Sequence, residues 1–237
     1  MKRSYVGAIL VLLSAIGFGL MPIFAKFAYK GGVDTTTLLL IRFSVAAVFY
    51  FCYVLVRSVK IRVNLKQLVM LFALGGVCYT GQSFLYFSAV KYIPGSLATL
   101  LLFFSPVIIA VIAFFVEKER ISIKIASAMA VSFVGLVIVC NDSFGRVSVT
   151  GILFALGAAL VYSFYVVLSN RVVKELPAVV SSGFITLFTA LSFLAIGLAG
   201  NSISLDFKPE TWLHIMGIAV ISTILPVVTF LAGLERL

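Results

Sequence analysis

The positions of the charged residues constrain this chain more than any other feature of its sequence. Charged residues make up 11% of the chain and gather in short clusters. A charge at the centre of a bilayer costs about 2.5–3.5 kcal/mol on insertion scales, and a helix needs about 20 residues to cross the hydrocarbon core. Each apolar run between clusters therefore predicts one membrane-spanning helix. The eight runs, interrupted once by Arg42, cover residues 4–25, 35–56, 67–90, 92–116, 125–141, 147–170, 176–205 and 211–234.

Composition excludes a soluble fold of this size. The chain is 62% hydrophobic and only 11% charged, whereas ordinary globular domains carry about 25% charged residues. The predicted fold class is therefore an all-α integral membrane protein. The first run follows Met-Lys-Arg and resembles a signal peptide, but it is longer than the roughly 7–15 apolar residues of a signal sequence. We expect it to be an uncleaved first spanning helix.

The basic residues predict an orientation rather than a nucleic-acid partner. The net charge is +10, but the basic residues flank the apolar runs as membrane anchors do and form no basic domain face. With a cytoplasmic N-terminus, the inner side carries twelve of the 18 basic residues and the outer side five. Lys and Arg are enriched on the cytoplasmic side of membrane proteins. We therefore expect a multi-pass protein of the cytoplasmic (inner) membrane, in contact with the lipid bilayer, with its N-terminus inside.

The residues that enzymes and metal sites need are not clustered in the sequence. His214 is the sole histidine, and Cys52, Cys78 and Cys140 lie in separate apolar runs. No P-loop is present, and no Asp or Glu lies well inside a run. We therefore expect no enzymatic activity, no cofactor, no metal site and no proton coupling through a buried carboxylate within these residues.

An internal repeat is visible at an offset of 144 residues. Gly7 aligns with Gly151, Leu12 with Leu156, and Lys30 with Lys174. The offset covers five spans, and an odd number inverts the second copy, as in many secondary transporters. We predict a first repeat at 1–141 with helices 1–5 and a second at 147–237 with helices 6–8. The last two helices of a ten-helix (5+5) fold are then missing; a genuine eight-helix protein is the alternative.

One stretch of the sequence resembles a known family. The segment GQSFLYFSAVKYIPGSLATLLLFFSPVIIAVIAFFVEKERISIKIASAMAVSFVGLVIV (81–139) and the ending FLAGLERL resemble the EamA family of the drug/metabolite transporter superfamily. The segment includes Pro106 and Glu119-Arg120-Ile121, with Lys118 where the family usually has glycine. The resemblance implies the ten-helix fold and the transport of amino acids, nucleotide-like metabolites or drugs, commonly outward.

Polar residues inside the spans are the candidates for a substrate site. Tyr79, Gln82, Ser83 and Tyr86 share one face of the third helix at spacings of 3, 4 and 7. Their hydroxyl and amide groups could line a cavity, or could bond neighbouring helices. Tyr162 and Tyr165 share one face of the sixth helix, where they line a cavity or form part of an interfacial belt.

Arg42 is the one charge inside a span. It lies about 10 Å from the outer edge at 1.5 Å per residue, and a long side chain could extend outward from there to the membrane surface. We weigh two roles, bonding to backbone carbonyls of neighbouring helices and attraction of an anionic substrate.

These features predict a secondary transporter of small organic metabolites or drugs, and the family resemblance implies an exporter. It would work by alternating access around a midplane cavity between inverted repeats. The alternative is a non-transporting membrane fragment or a structural or interaction protein. Ala126, Ala130 and Gly135 on the fifth span suit close helix packing, so a homodimer is a further possibility.

Overall fold

A computed structural model describes residues 2–117, 148–172 and 176–234, with isolated helical positions between 127 and 138. All regular elements in these residues are helical. The α-helices are α1 (Lys2–Lys30), α2 (Thr35–Val56), α3 (Leu65–Phe72), α4 (Thr80–Tyr92), α5 (Gly95–Leu102), α6 (Ser105–Glu117), α7 (Val149–Val172), α8 (Ala178–Ala199), α9 (Thr211–Met216) and α10 (Leu225–Leu234). Two π-helical segments, π1 (Ala73–Tyr79) and π2 (Gly217–Ile224), join α3 to α4 and α9 to α10.

Seven stretches of the described helices are long and apolar enough to cross a membrane. They are Tyr5–Lys30, Thr35–Val56, Leu65–Tyr92, Gly95–Ile112, Val149–Ser169, Ala178–Ala199 and Thr211–Phe230. Each overlaps one predicted span, so the multi-pass helical membrane fold is confirmed. The other predicted span, 125–141, lies outside the described residues apart from isolated positions, and the count of eight stays a prediction.

Helix ends differ from the charge gaps where polar residues can sit at the membrane boundary. The first apolar run stops at residue 25, but α1 continues to Lys30, whose Nζ lies 5.5 Å from the ring centre of Phe27. A cation in the last turn interacts favourably with the helix dipole. At the start of α2, the Asp34 side chain accepts a hydrogen bond from the Thr36 N–H at 3.0 Å. α1 therefore extends past the charge that bounded the first predicted span, whereas α2 begins where the second charge-free run begins.

The fourth predicted span is divided in two. α5 ends at Leu102 and α6 begins at Ser105. Pro106, the second residue of α6, has no N–H to donate, and its ring clashes with the carbonyl four residues earlier. The helix breaks next to this proline.

The helices pack in pairs that join distant parts of the sequence. α2 lies along α8, α1 along π2 and α10, and α7 along π1 and α4. The largest buried cluster lies between these pairs and includes Phe43, Phe87 and Phe193, all fully buried. Many large apolar side chains face outward, such as Leu12 and Ile16 on α1. An apolar outer surface is what a bilayer solvates.

Polar contacts gather three connections at one end of the bundle. The Lys208 N–H, between α8 and α9, donates to the Gly31 carbonyl at 3.1 Å. Thr37 Oγ1 donates to the Ser202 carbonyl at 3.3 Å. The Lys91 ammonium, at the end of α4, pairs with Asp34 at 3.2 Å. The α1–α2 turn, the end of α4 and the α8–α9 loop therefore lie on the same side.

Candidate functional site

Arg42 is the one charged side chain that is buried among the described residues, with 2% of it exposed. Its Nε donates to Oγ1 of Thr223 in π2 at 2.9 Å. The guanidinium carbon lies 4.6 Å from the ring centre of Phe43 and 5.1 Å from that of Phe87. The outward extension considered from the sequence is wrong. Cation–π contact and a hydrogen bond offset part of the desolvation cost and hold the group inside the protein.

Three tyrosines lie beside the two rings that Arg42 contacts: Tyr79 packs on Phe43, Tyr86 packs on Phe87, and Tyr29 bonds the Phe87 backbone. A fourth, Tyr50, lies about two turns farther along α2. Two of their hydroxyls have partners, since Tyr29 donates to the Phe87 carbonyl at 3.0 Å and Tyr86 shares a hydrogen bond with Thr99 Oγ1 at 2.8 Å. The guanidinium is therefore surrounded by phenols and aromatic rings, without a carboxylate among the described buried side chains.

A row of aromatic rings connects this centre to α7. Phe43 meets Tyr79 edge-on at a centroid distance of 5.5 Å. Tyr79 meets Tyr165 at 5.3 Å, and Tyr165 stacks on Tyr162 at 6.0 Å. The structure thus brings together the two predicted groups, which the sequence placed on separate helices. Their role as substrate contacts stays a prediction.

The other predicted residues of the third span are buried and engaged with their neighbours. Gln82 is 8% exposed and Ser83 is 3% exposed, and Ser83 Oγ donates to Gln82 Oε1 at 3.4 Å. Tyr86, 5% exposed, is held by Thr99 of α5. The shared face of the helix therefore turns inward, toward the protein core rather than toward lipid.

The segment π1 is held by neutral hydroxyl groups and by close backbone packing. The Gly75 carbonyl accepts hydrogen bonds from Oγ1 of Thr80 and of Thr189, each at 2.9 Å. A Cβ at position 75 would clash with the backbone carbonyl of Ile185 in α8. Glycine is needed here because the two backbones approach too closely for any side chain. Thr189 also donates to the Ile185 carbonyl at 2.7 Å, so its hydroxyl spans both helices.

The segment π2 has a related bond with a different neighbour. Thr223 Oγ1 donates to the Ile218 carbonyl at 2.8 Å, five residues earlier, as Thr80 does to Gly75. The same oxygen accepts the hydrogen bond from Arg42. A charged residue of α2 is therefore anchored to π2, whereas the side-chain hydrogen bonds to the Gly75 carbonyl of π1 come from threonine hydroxyls.

Sequence reasoning missed the threonines of this network. Thr80, Thr189 and Thr223 look like ordinary small residues of apolar helices, where a hydroxyl can bond its own backbone. The available signal was the relation between Thr80 and Thr223, which lie 143 residues apart, within one residue of the repeat offset. Tyr50 was missed for a similar reason, because one phenol in an apolar run is unremarkable.

An apolar groove of about 450 Å³ lies between α2 and α8, away from Arg42. Ser44 and Cys52 are the polar or weakly polar members of its wall; the lining is Leu40, Ser44, Ala47, Val48, Phe51, Cys52, Leu55, Leu187, Ala190, Leu191 and Leu194. None of the predicted site residues lines it. Its surface suits an apolar chain better than a polar metabolite.

The Lys91–Asp34 ion pair affects the titration of its carboxylate. Partial burial of Asp34 acts to raise its pKa, but the hydrogen bond from the Thr36 N–H and the charge of Lys91 outweigh it and lower the pKa below its usual value. Both side chains are partly exposed, at 34% for Lys91 and 46% for Asp34. The pair fastens the end of α4 to the start of α2.

Metal-ligating residues are not gathered in the part of the chain that the structure describes. No group of three or more His, Cys, Asp and Glu residues there could hold a metal ion. The described site consists of one guanidinium, phenols, threonine hydroxyls and an amide, which are groups for binding and orienting a ligand.

Comparison with known proteins places this arrangement among transporters. The profile of the EamA-like transporter family matches residues 5–141 and 149–237. An uncharacterized transporter of Clostridium kluyveri is 31% identical over 182 residues, which are 72% of this chain and 57% of the relative. The chain thus spans little more than half the length of that relative. The uncharacterized transporter YcbK of Bacillus subtilis is 23% identical along 100% of this chain and 79% of its own length.

A solved structure shares the fold. A crystal structure of another protein superposes on this chain with a TM-score of 0.67 at 24% sequence identity. The superposition covers 100% of this chain and 81% of the other. At this level of identity the likeness shows the fold alone.

Proposed function

The chain belongs to the EamA-like transporter family, and from that premise we propose that it carries small organic metabolites or drugs out of the cell by alternating access. Its membership and its two transporter relatives support membrane transport rather than enzymatic activity. The observation that carries the proposal is the buried polar centre around Arg42. Intramembrane polar groups are costly and mark substrate pathways.

The proposed mechanism uses two inverted repeats, at 1–141 and 147–237. α2 begins at Thr35 and α8 at Ala178, an offset of 143 residues, and each helix has 22 residues. π1 and π2 begin at Ala73 and Gly217, an offset of 144. The first helix of each proposed repeat packs on the third span of the other repeat. α1 packs on π2 and α10, whereas α7 packs on π1 and α4. This exchanged packing supports two copies that rock against each other.

The proposed substrate contacts are the groups between the two copies. Arg42 and Tyr79 lie at the centre, and the other members are Gln82, Ser83, Tyr86, Tyr162 and Tyr165. The 2% exposure of Arg42 means that this conformation is closed over the guanidinium. Substrate entry then requires α2 and π2 to separate on one side of the membrane at a time.

The membrane setting completes the proposal. The N-terminus is placed in the cytoplasm because twelve basic residues then lie inside and five outside. The turn carrying Asp34 and the loop carrying Lys208 face outward together, in agreement with their contacts at one end of the bundle. A homodimer through the fifth span remains a hypothesis; that span lies outside the described residues.

Efflux from proteoliposomes tests the transport proposal. The purified protein is reconstituted into vesicles loaded with a labelled mixture of organic acids, amino acids and nucleosides, and external solutes are followed by mass spectrometry. We expect at least one solute to leave faster than from protein-free vesicles. Tyr79→Ala should reduce that flux, because it interrupts the aromatic row, whereas Tyr5→Ala on the lipid-facing side of α1 should not. A folded protein that moves none of these solutes would support the non-transporting alternative.

A further inference from the structure

The guanidinium of Arg42 has more hydrogen-bonding capacity than the protein uses. A guanidinium carries five N–H donors, and among the described residues only Nε of Arg42 has a hydrogen-bond partner, Thr223. The guanidinium carbon lies 4.6 Å from the ring centre of Phe43 and 5.1 Å from that of Phe87, so rings without hydrogen-bond acceptors of their own pack against the group. An arginine buried without a counter-ion is costly unless something else compensates its charge.

Two nearby hydroxyls are also unused. The Tyr50 hydroxyl is buried and without a hydrogen-bond partner in the described structure, and the Tyr50 side chain is 1% exposed. The Tyr79 hydroxyl makes no hydrogen bond within the described residues, and the Tyr79 ring lies 5.5 Å from that of Phe43, on which the guanidinium packs. Tyr50 packs with Ile224, the neighbour of Thr223, so Arg42 and Tyr50 lie along the same seam between α2 and π2.

We propose that the terminal nitrogens of Arg42 and the hydroxyls of Tyr50 and Tyr79 form a subsite for the carboxylate of an organic monocarboxylate. A guanidinium matches the two oxygens of a carboxylate in a bidentate pair. The phenols supply O–H donors beside it, and the aromatic row from Tyr79 to Tyr165 supplies a surface for an apolar or aromatic body. The inference rests on the proposed transport function and names its substrate class.

The absence of acidic partners narrows the class further. All eight acidic residues of the sequence lie at the ends of the apolar runs or between them. An ammonium group brought beside Arg42 would be repelled by the guanidinium and would find no carboxylate inside these runs. The subsite therefore favours a carboxylate without an ammonium group over the corresponding zwitterionic amino acid.

Three probes of nearly equal shape separate these possibilities. Binding of 3-phenylpropanoate, 3-phenylpropanamide and phenylalanine to the full protein in nanodiscs is measured by isothermal titration calorimetry. We expect saturable binding of the propanoate, weaker binding of phenylalanine, and the weakest binding by the neutral amide. Equal affinities for the acid and the amide, tighter binding of phenylalanine, or no binding of the propanoate at millimolar concentration would each overturn the subsite.

Variants of α2 locate the binding. Arg42→Gln should weaken propanoate binding at least about thirtyfold, because it leaves the carboxylate without its charged partner, and Arg42→Lys should not restore full affinity. Tyr50→Phe, which removes one unpartnered hydroxyl, should weaken it about three- to tenfold. Tyr53→Phe on the same helix serves as the matched control and should bind like the parent.

The controls keep the two proposals apart. Melting temperatures show whether Arg42→Gln is folded; if it is not, the Tyr50→Phe variant and the three probes on the unaltered protein still decide the matter. Affinity unchanged in Tyr50→Phe and in a folded Arg42→Gln would overturn the subsite. Efflux of other solutes without carboxylate selectivity overturns the subsite and leaves transport intact, whereas absence of any efflux overturns the proposed function itself.

Discussion

The two π-helical segments occupy related places in the chain but are held in different ways. In π1 the Gly75 carbonyl accepts two threonine hydroxyls, and its Cα lies against the backbone of α8. In π2 the corresponding bond from Thr223 to the Ile218 carbonyl is also the anchor for Arg42. Backbone contact without side chains leaves little freedom to move. π2 also approaches a backbone closely, where the Ile221 carbonyl lies against Gly17 of α1. The two segments therefore differ in the seams that they form with α8 and α2, and we predict that the π1–α8 seam is rigid and that the π2–α2 seam, which holds Arg42, responds to a ligand.

Adding a side chain at Gly75, where π1 lies against α8, should have the largest effect on stability. Gly75→Ala places a methyl group against the Ile185 carbonyl, and overpacking of this kind costs about 1–3 kcal/mol. We expect a lower melting temperature in detergent and loss of monodisperse protein. Gly19→Ala, where an added Cβ meets nothing within 4 Å, is the control and should be neutral or slightly stabilising. A Gly75→Ala protein as stable as Gly19→Ala would refute the rigid seam.

Removing the hydroxyl of π2 should come next. Thr223→Val keeps the shape of the side chain but leaves the buried Nε of Arg42 without its partner. An unsatisfied buried donor costs about 1–3 kcal/mol, and we expect both lower stability and weaker binding of a carboxylate probe. Chemical unfolding and calorimetry measure the two effects. Unchanged values for both would show that the Arg42–Thr223 contact is incidental.

The equivalent change near π1 should be milder. Thr189→Val removes one of two donors to the Gly75 carbonyl, and Thr80 remains. Hydrogen bonds between membrane helices contribute about 0.6 kcal/mol on average, so we expect a small loss of stability and no change in probe affinity. Comparison of Thr189→Val with Thr223→Val under identical conditions is the measurement. A larger loss of probe affinity in Thr189→Val would reverse the assignment of the two seams.

The Lys91–Asp34 ion pair should have the smallest effect, visible in the pH dependence of stability. The pKa of Asp34 is lower in the folded protein than its usual value, so its contribution is present above the unfolded pKa of about 3.9 and is lost as pH falls through the folded value. Asp34→Asn keeps a good helix cap and should remove this part of the acid loss.

The expected size of this effect follows from exposure. Pairs at the surface contribute about 0–1 kcal/mol, and Asp34 and Lys91 are both partly exposed. Melting curves from pH 7 down to about pH 3 for the parent, Asp34→Asn and Lys91→Met measure it. Identical acid profiles for the parent and Asp34→Asn would mean that the pair does not stabilise the fold.

The spans could be predicted because the cost of burying charge is large and leaves a clear record in the sequence. Seven of the predicted spans coincide with described helices, and the break beside Pro106 follows from the missing N–H of proline. The π segments could not be predicted, because hydropathy does not depend on whether a backbone carbonyl accepts its hydrogen bond from the N–H four residues later or five residues later. The role of Gly75 could not be predicted either, since it depends on contact with the backbone of Ile185, 110 residues away in the sequence.

Some members of the candidate site were predictable from the sequence, but their arrangement was not. Polar side chains in apolar runs identified Tyr79, Tyr165 and Arg42, and the structure brings them into one region. The expectation that the Arg42 side chain could extend to the membrane surface assumed that lipid surrounded it. Instead Phe43 and Phe87 surround it, because α2 is packed against π2 and α4. Distance along one helix cannot reveal that neighbour.

Hydrogen–deuterium exchange of the protein in nanodiscs tests the central claim most directly, because it compares both seams in one experiment. We expect amides of 217–224 to exchange faster than those of 73–79, and 3-phenylpropanoate to slow exchange in 217–224 while leaving 73–79 unchanged. Equal exchange in both segments, or ligand protection confined to 73–79, would contradict the assignment of α2 and π2 as the seam that binds and moves.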